Sequence, residues 1–358
     1  MTQFWNGKRV FITGHTGFKG GWLTLWLEAM GAKVAGYSLP APTEPSFCKV
    51  VGIEKPIAST IADVRDLQAL QKCLVAFNPE IVFHLAAQAL VRPSYTDPVE
   101  TYSTNVMGTV NVLEAARQCL SIRALVIVTS DKCYENTERE SGYREDEPMG
   151  GYDPYSNSKG CAELVVAAYR NSFFNPDDYG RHKVALASGR AGNVIGGGDW
   201  ATDRLVPDMV RAIVSGKPVR IRNPNAVRPW QHVLEPLGGY LLLAQRLCEK
   251  GPAFSGGWNF GPLDRDTRKV QEIVGQLTKQ WGDGASWEAD EGDHPHEARF
   301  LKLDCSKAHT ELGWRPRLHV EQALAWTADW YKAWRKGGDM RALSLRQIST
   351  YPELRSSP

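Results

Sequence analysis

Two short stretches of the sequence combine residue types that can transfer protons. "TSDKCYEN", from Thr129 to Asn136, sets an acid, Asp131, directly beside a base, Lys132. "PYSNSKGCAE" places Tyr155 and Lys159 four residues apart near the start of a predicted helix, so both side chains lie on one face. A phenol with a pKa of about 10 is a weak base at neutral pH, but a nearby ammonium stabilises the phenolate and lowers that pKa. The pattern therefore predicts that the tyrosine can take a proton from a hydroxyl group.

A glycine-rich loop lies near the start of the chain. The stretch "TGHTGFKG" holds Gly14, Gly17 and Gly20 at the spacing G-x-x-G-x-x-G, directly after a predicted strand at 9–13 and at the start of a predicted helix. Glycines there let the backbone turn tightly and approach a pyrophosphate, whose charge is favoured by the unpaired N–H groups at the start of the helix. In this position the spacing predicts a dinucleotide site rather than a purely structural turn.

The residues after the second predicted strand bear on which dinucleotide binds. The acidic residue expected there to hydrogen-bond the ribose of NAD is absent, and Ser38 and Leu39 stand in its place. Residues 34–48 also contain no Lys or Arg to meet the 2′-phosphate of NADP. NAD is therefore the predicted cofactor, although Lys19 within the loop could reach a phosphate. His15 is expected to be a solvated turn residue, with adjustment of cofactor affinity as the alternative.

The elements that position these residues are predicted from the alternation of β-branched runs with amphipathic segments. That rhythm is typical of stacked βαβ units, and it predicts an α/β fold with a doubly wound parallel sheet. Strands are expected at 9–13, 33–39, 80–87, 124–130 and 183–190, with a further short strand ending at Asp63. Long helices are expected from Val99 to Leu120 and from Tyr152 to Phe174.

Beyond Gly189 this rhythm breaks, and a smaller C-terminal substrate domain is expected. "NVIGGGDW", "RNPNAVRPW" and "NFGPLDRD" are rich in Gly, Pro, Asn and Asp, which is typical of loops that carry a site. The predicted dinucleotide-binding domain is 1–188, with about 229–260 returning to it, and the predicted substrate domain is 189–228 and 261–358. Trp326, Trp330 and Trp334 repeat every four residues, which predicts core or domain packing.

Composition narrows the class of partner. The 358 residues include 42 Lys and Arg and 40 Asp and Glu, so no strong field attracts nucleic acid or an anionic membrane, and a small molecule is the predicted partner. The seven cysteines are far apart and odd in number, which predicts reduced thiols in a cytoplasmic protein rather than disulfides or a metal site. The sequence shows neither a signal peptide nor an apolar run of about 18 residues, so we expect neither export nor membrane insertion.

Several stretches together resemble the extended short-chain dehydrogenase/reductase family, a Rossmann-type fold. They are, in order, "TGHTGFKG", "DVRD" from Asp63, "HLAAQ" from His84, "TSDKCY", Tyr155 with Lys159, and "GRAGNVIGGGDW". Within this family the chain looks like the nucleotide-sugar 4,6-dehydratases. The stretches "GHTGFKGGWL", "TSDKCYEN", "GGGDWATDRLVPD" and "NPNAVRPWQHVLEP" are similar to those of dehydratases that act on CDP-glucose.

This resemblance implies three sets of site residues. The catalytic set is Ser130, Asp131, Lys132, Tyr155 and Lys159. The cofactor-binding set is Gly14, His15, Thr16, Gly17, Phe18, Lys19, Gly20, Ser38, Asp63, Val64, Leu85, Ala86, Ala87, Tyr155 and Lys159. The substrate-binding set is Gln88, Asn193, Arg204, Leu205, Arg228 and His296, the last beside Glu297 in a stretch that would close the pocket. Arginines suit the two substrate phosphates because the planar guanidinium binds phosphate at two points.

The implied reaction is loss of water from CDP-glucose, giving CDP-4-keto-6-deoxyglucose for deoxysugar synthesis. Tyr155, beside Ser130, takes the proton of the 4-hydroxyl while the hydride of C4 passes to NAD⁺ and later returns to C6. Asp131 then protonates the departing 6-hydroxyl and Lys132 takes the C5 proton. For these roles the lysine must be neutral and the aspartic acid protonated. A charged Lys132 would oppose this, because a neighbouring ammonium lowers the pKa of the carboxyl group.

Other functions stay open at the level of sequence. A 4,6-dehydratase of another nucleotide sugar would carry the same residues, since the sequence itself does not derive cytosine as the base. A nucleotide-sugar 4-epimerase needs Tyr155, Lys159 and NAD but no acid and base for elimination, so Asp131 beside Lys132 argues against it. A protein that only senses a dinucleotide needs no proton carrier, so Tyr155 and Lys159 together with Ser130 argue against that reading.

The resemblance also implies an assembly. Members of the family pair their two long helices, here predicted at 99–120 and 152–174, with those of a second copy. The prediction is therefore a homodimer with a four-helix interface, or a higher assembly built from it.

Overall fold

The computed structural model of the chain describes residues 2–290, 292 and 300–354. The strands in this part are β1 (Arg9–Thr13), β2 (Lys33–Ser38), β3 (Ala58–Ile61), β4 (Ile81–His84), β5 (Ala124–Val128), β6 (Ala185–Ala191), β7 (Val194–Ile195), β8 (Val219–Ile221), β9 (Val227–Pro229), β10 (Gln231–His232), β11 (Gly256–Phe260), β12 (Thr267–Lys269) and β13 (Trp287–Ala289). Seven of them form one sheet in the order β11-β6-β5-β4-β1-β2-β3, with every neighbouring pair parallel. Apart from β11, this is the strand order of doubly wound dinucleotide-binding folds, as predicted.

Helices cover both faces of the sheet. Those in the described residues are α1 (Thr2–Trp5), α2 (Phe18–Ala29), α3 (Phe47–Val51), α4 (Leu67–Phe77), α5 (Val91–Thr96), α6 (Pro98–Tyr102), α7 (Gly108–Arg117), α8 (Pro154–Ser172), α9 (Tyr179–His182), α10 (Leu205–Val214), α11 (Leu234–Lys250), α12 (Val270–Trp281), α13 (Val320–Arg335) and α14 (Met340–Thr350). Two-stranded pairs, β7 with β10, β8 with β13 and β9 with β12, lie beyond the carboxyl end of β6 in the chain.

Continuous apolar runs form the central strands. β4 reads IVFH and β5 reads ALVIV, and every residue of both is buried. A strand covered by helices on both faces has no polar side, so the usual alternation is lost. Ile81 and Phe83 pack in the core that includes α2 and α11, whereas Val82 packs in the core that includes α4, α7 and α8. This packing holds the carboxyl ends of β1, β4, β5 and β6 along one edge.

The helix predicted from Val99 to Leu120 is helical from Pro98 to Arg117, but a π-helical turn inside it departs from regular α geometry. A π-helical turn at Ser103–Met107 separates α6 from α7, and α7 ends at Arg117. Within the turn Asn105 is buried, and its side chain hydrogen-bonds the backbone N–H and C=O of Gln88 at 2.9 Å. The wider turn departs from regular helix geometry, and within it Asn105 satisfies the buried backbone groups of Gln88.

The expected loops beyond Gly189 also need correction, because they contain short strands. Asn259 and Phe260 are the last residues of β11, which pairs with β6 at the edge of the main sheet. Backbone that runs through the interior must pair its N–H and C=O groups, and strand pairing provides the partners. The composition of these stretches therefore predicted their turns but did not predict the short strands between them.

The tryptophan stripe on α13 packs as predicted. Trp330 is fully buried, and its ring centroid lies 5.6 Å from that of Trp200. The ring of Trp334 lies 5.3 Å from Trp200, and that of Trp326 lies 5.6 Å from His232. The stripe therefore joins α13 to Trp200, in the segment after β7, and to His232 of β10.

All seven cysteines are unpaired, as predicted. Among the described residues, no helix combines the length and the apolar character needed to cross a membrane.

Candidate active site

A cavity of about 290 Å³ opens at the carboxyl ends of β5 and β6, the edge at which doubly wound sheets bind their ligands. It is lined by the start of α2, the turn after β5, the start of α8, the loop after β6 and the segment leading into α10. Ten residues of the predicted site line this cavity: Phe18, Lys19, Ser130, Asp131, Lys132, Tyr155, Asn193, Arg204, Leu205 and Arg228. Residues distant in the sequence thus converge on one volume.

The turn after β5 holds Asp131 in a buried position. Ser130 Oγ donates to Asp131 Oδ1 at 3.0 Å and accepts the N–H of Lys132 at 3.2 Å. The other carboxylate oxygen, Oδ2, is buried without a hydrogen-bond partner among the described residues. Burial raises the pKa of Asp131, against the charge of Lys132 and the hydrogen bond from Ser130. The predicted opposition from Lys132 is therefore present, but burial outweighs it and suits Asp131 to hold a proton.

The first turns of α8 present Tyr155 and Lys159 on one face. The helix begins at Pro154, and the Asp153 carboxylate accepts the N–H of Ser156 at 2.9 Å as an N-cap. Tyr155 and Lys159 are only 9% and 6% exposed. The cap and the proline fix where the helix starts, and therefore where both side chains lie.

The charges of this pair depend on burial. Burial raises the pKa of Tyr155 to about 12, against the hydrogen bond to Ser130. Burial thus outweighs the charge of Arg204, which acts to lower the pKa of Tyr155, and a lowering by the ammonium of Lys159 stays a prediction. Burial also lowers the pKa of Lys159 to about 8, while the charge of Glu163 acts to raise it. Both shifts favour uncharged side chains. For Tyr155 to act as a base, positive charge within the site must therefore stabilise its phenolate.

The glycine loop is a backbone cradle. Gly14 has a φ of +80°, and a Cβ added there would lie 2.6 Å from the backbone N of Ala86. A Cβ on Gly20 would lie 2.0 Å from the carbonyl oxygen of Gly14. The N-cap of α2 is Gly17, and no side chain caps the first N–H groups of this helix. These open donors, with room for close approach, fit the pyrophosphate of a dinucleotide.

His15 in this loop is not solvated, which corrects one expectation. Its side chain is fully buried, and Nε2 lies 2.7 Å from Ser59 Oγ. Burial lowers the pKa of His15 to about 4, so the ring is neutral at physiological pH. From the sequence, a polar residue in a glycine loop is expected to be exposed. Here the ends of β1 and β2 lie close enough to enclose the His15 ring.

The remaining predicted cofactor contacts lie at or after the carboxyl ends of β2, β3 and β4. Ser38 Oγ lies 2.7 Å from Thr16 Oγ1, so the two hydroxyls satisfy each other. The Asp63 carboxylate accepts Arg65 Nε at 2.9 Å. Four further predicted residues lie in the segments after β3 and β4: Val64, Leu85, Ala86 and Ala87.

Lys19 lines the same cavity as the acid Asp131. It lies in the cavity wall with Asp131 and Arg204, and its reach to a cofactor phosphate stays a prediction. Burial, helped by the charge of Arg204, lowers the pKa of Lys19 to about 8, while the charge of Asp131 acts to raise it. Lys19 therefore belongs to the charge balance of the cavity.

Two carboxylates that the sequence analysis passed over hold arginines of the cavity. Asp199 Oδ2 accepts Arg204 Nη1 at 2.9 Å. Asp203 Oδ1 lies 3.3 Å from Arg92 Nη1 and 3.4 Å from Arg222 Nη1. Both acids stand in the stretch "GGGDWATDRLVPD", so their nearness to Arg204 in sequence was the signal that could have found them.

Two predicted substrate residues are not brought to the cavity by the described structure. Gln88 uses its side chain locally: Nε2 donates to Leu90 O at 2.9 Å and to Thr101 Oγ1 at 3.0 Å, and Oε1 accepts the N–H of Leu90 at 2.6 Å. Such short-range bonds compete with ligand contacts for the same atoms. His296 and its neighbour Glu297 lie outside the described residues, so their role stays a prediction.

The family model described as GDP-mannose 4,6 dehydratase matches residues 11–327. A CDP-glucose 4,6-dehydratase from Salmonella typhimurium is 60% identical over 349 residues, which cover 98% of this chain and 97% of that protein.

Two solved structures share the fold. A dTDP-glucose 4,6-dehydratase from Streptomyces venezuelae, solved with NAD, superposes with a TM-score of 0.78 at 24% identity, covering 92% of this chain and 99% of that one. A UDP-glucose 4-epimerase from Thermus thermophilus in complex with NAD gives a TM-score of 0.77 at 24% identity, covering 90% and 99%. Fold likeness thus extends to both reaction types, whereas sequence identity over nearly the whole length favours dehydratases. The chain belongs to the GDP-mannose 4,6 dehydratase family of extended short-chain dehydrogenases/reductases.

Proposed function

We propose that this protein is an NAD-dependent hydro-lyase that converts CDP-glucose to CDP-4-keto-6-deoxyglucose and water. The observation that carries this proposal is the cavity that Asp131, Lys132 and Tyr155 share. Loss of water needs an acid for the departing hydroxyl and a base for the carbon-bound proton, since hydroxide is a poor leaving group at neutral pH. The 60% identity to the Salmonella CDP-glucose 4,6-dehydratase supports the cytidine nucleotide.

The proposed proton transfers use this chain's own residues. Tyr155, with Ser130 beside it, takes the proton of the 4-hydroxyl. A ketone at C4 makes the C5 proton acidic, and Lys132 removes it while Asp131 protonates the 6-hydroxyl as it leaves. Lys132 returns a proton to C5 at the end. NAD, when bound, accepts the C4 hydride and returns it to C6, so no net oxidation occurs.

The proposed NAD site runs along the edge formed by β1 to β5. The glycine loop 14–20 holds the pyrophosphate, because its cradle has no side chain where a Cβ would clash and α2 leaves its first N–H groups open. Asp63 and Val64 lie at the adenine, residues 85–87 lie along the cofactor, and Lys159 holds the nicotinamide ribose. These roles are carried over by resemblance, and the contacts around the loop support them.

The proposed substrate site is the arginine-rich side of the cavity. Arg204 and Arg228 lie on its wall and would meet the diphosphate, whose charge they match. Arg92 and Arg222 line the same volume and add positive charge beside Asp203. Asn193 and Leu205 line it as well, next to where the sugar and the pyrimidine are proposed to lie.

We also propose a homodimer through the helices α6, α7 and α8. Val99 is 76% exposed, Met107 52% and Leu164 59%, and they lie on these helices or the π turn between them. An apolar hollow on the same surface is lined by Pro98, Val99, Tyr102, Ser103, Val106, Met107 and Cys161. Apolar surface of this kind on a single copy is typical of an interface.

Two broader proposals concern the organisation and location of the chain. The return of about 229–260 to a dinucleotide-binding domain of 1–188 is supported by β11, which pairs with β6. The substrate domain is then 189–228 and 261–358. The unpaired state of all seven cysteines supports the cytoplasm, a reducing compartment, as the location.

The test is incubation of the purified protein with NAD⁺ and, in separate reactions, CDP-glucose, dTDP-glucose and UDP-glucose. We expect a 4-keto-6-deoxy product from CDP-glucose, with one deuterium at C5 when the reaction is run in D₂O. A 6-deoxy product from dTDP-glucose or UDP-glucose instead would overturn the choice of nucleotide. Epimerised sugar without loss of water, or no product from any of the three, would overturn the dehydratase.

A further inference from the structure

Gly192 lies directly after β6 and lines the cavity together with Asp131. A Cβ added to Gly192 would lie 2.7 Å from Asp131 Oδ2 and 2.8 Å from Cγ of Pro229. Both distances are shorter than the roughly 3.5 Å at which nonbonded heavy atoms pack favourably. The bare Cα of Gly192 therefore leaves the room that the Asp131 carboxyl group occupies.

The two oxygens of this carboxyl group differ in their surroundings. Oδ1 accepts the hydroxyl of Ser130 at 3.0 Å. Oδ2 is buried, and within the part of the chain that the structure describes no donor lies within hydrogen-bond distance of it. An ionised oxygen in the interior needs hydrogen bonds to offset its lost hydration, whereas a protonated one needs fewer. The geometry therefore favours a proton on Oδ2 over a negative charge.

The residues beside Oδ2 explain why no donor reaches it. Gly192 has no side chain, and the ring of Pro229 is apolar and takes the place of a backbone N–H. A serine or threonine at position 192 would instead place a hydroxyl group next to the carboxyl group. The choice of glycine thus affects the chemical state of Asp131 as well as its position.

We propose that Gly192 is a positioning residue for Asp131, which, with the ring of Pro229, keeps donors away from Oδ2 so that this oxygen carries the proton of the acid. This inference rests on the proposed function, in which Asp131 protonates the departing 6-hydroxyl. Gly192 has no functional group of its own, so it acts through Asp131.

Titratable side chains from several elements face the Asp131 carboxyl group. They are Lys132 and Cys133 in its own turn, Lys19 on α2, Tyr155 on α8, Arg228 on β9 and Tyr240 on α11. The cations act to lower the pKa of Asp131, but burial raises it and outweighs them. The two phenols and the thiol are neutral, because burial raises the pKa of each. The net direction agrees with an oxygen that no donor reaches.

The direct test compares Gly192→Ala with Gly192→Ser in protein without NAD. Both variants add a Cβ, but only the serine adds a donor beside Oδ2. Protein labelled with ¹³C at the aspartate Cγ carbons is titrated by NMR, and the resonance of Asp131 is assigned by its loss in Asp131→Asn. We expect the midpoint in Gly192→Ser to lie about one pH unit or more below that in Gly192→Ala, which is a tenfold change in the protonation equilibrium.

The matched control is Gly196→Ser, in the same loop and also on the cavity wall. A Cβ there would lie 2.9 Å from Cγ1 of Val233 and does not meet the carboxyl group. This variant adds a similar steric load and the same hydroxyl group away from the acid. It should leave the Asp131 midpoint unchanged.

The pH profile of turnover gives a second readout, which a merely structural role would not move. In Gly192→Ser we expect the alkaline limb of kcat to move to lower pH by the same amount as the NMR midpoint, because the acid loses its proton earlier. At neutral pH this is a loss of about tenfold relative to Gly192→Ala. In Gly192→Ala the carboxyl group is displaced without a new donor, so we expect kcat to fall by a similar factor at every pH.

The outcomes separate the inference from the proposed function. Equal Asp131 midpoints in Gly192→Ser and Gly192→Ala overturn the inference even if activity falls in both. If Gly192→Ser does not fold, the wild-type titration decides, and a midpoint at or below the ordinary value of about 3.9 overturns the inference because Oδ2 then carries no proton. A wild-type protein that yields no 4-keto product refutes the proposed function, while the titration still decides the role of Gly192.

Discussion

The two halves of this site are built by different means. On the cofactor side the glycine loop works through its backbone, and Gly14 and Gly20 stand where an added Cβ would meet backbone atoms. On the acid–base side, side chains whose charges are set by burial do the work, as the raised pKa of Asp131 shows. A backbone cradle depends on residue types at fixed spacing, whereas an acid–base pair depends on what the rest of the fold places around it. The halves should therefore fail differently when altered.

The largest expected effect is on the acid–base side, at the proposed proton acceptor of the first step. Tyr155→Phe removes the phenol that takes the 4-hydroxyl proton, and we expect kcat to fall about 10³- to 10⁴-fold while NAD still binds. Steady-state turnover and NAD titration measure the two effects. Tyr152→Phe is the control, since Tyr152 is 80% exposed just before α8 and should leave kcat unchanged. A loss smaller than about tenfold in Tyr155→Phe would contradict the assigned role.

The next effect concerns the base of the elimination. Lys132→Met leaves Tyr155 and Asp131 in place but removes the group that takes the C5 proton, so we expect kcat to fall about 10²- to 10³-fold. The measurement is product formation together with deuterium exchange at C5. Lys72→Met, at an exposed position on α4, serves as the control. Full turnover with normal C5 exchange in Lys132→Met would show that another residue is the base.

On the cofactor side the expected effect is steric. Gly20→Ala places a Cβ 2.0 Å from the carbonyl oxygen of Gly14, so the loop must shift. We expect a loss of about 1–3 kcal/mol in the free energy of unfolding, with weakened NAD binding. Gly275→Ala on α12 is the control, because a Cβ there meets nothing within 4 Å. Denaturant unfolding and NAD titration check both variants, and NAD affinity equal to that of the wild type in Gly20→Ala would refute the cradle.

The smallest expected effect is the pH dependence of stability at Asp131. Its folded pKa is raised by burial above the unfolded value, so the folded state binds more protons and stability falls as pH rises through the folded pKa. Asp131→Asn cannot ionise, so its stability relative to the wild type should increase from acid to neutral pH. Denaturant unfolding across pH measures this difference, and Asp329→Asn on the exposed side of α13 is the control. A constant difference across pH would mean that Asp131 is not desolvated.

Much of the fold could be predicted because its signals are local. Strands such as β1 and β5 follow from apolar runs, and the glycine spacing marks the first βα turn. The π-helical turn at Ser103–Met107 within the long predicted helix could not be predicted, because the side chain of Asn105 hydrogen-bonds polar groups on distant segments. The spacing of apolar residues within a helix does not indicate that Asn105 will hydrogen-bond Ser158, 53 residues away.

The sequence by itself determined which residues can do chemistry here: the glycine loop, Asp131 beside Lys132, and Tyr155 four residues before Lys159. Only the tertiary structure decided their states. It buried His15 against Ser59 and placed Lys19 in the cavity wall with Asp131. It also directed the Gln88 side chain to the backbone of Leu90 and paired Glu163 with Arg190 in the interior. The physical reason is that spacing along a chain fixes which side chains share a face. Hydration and charge pairing, which set each pKa, depend on residues that only folding brings together.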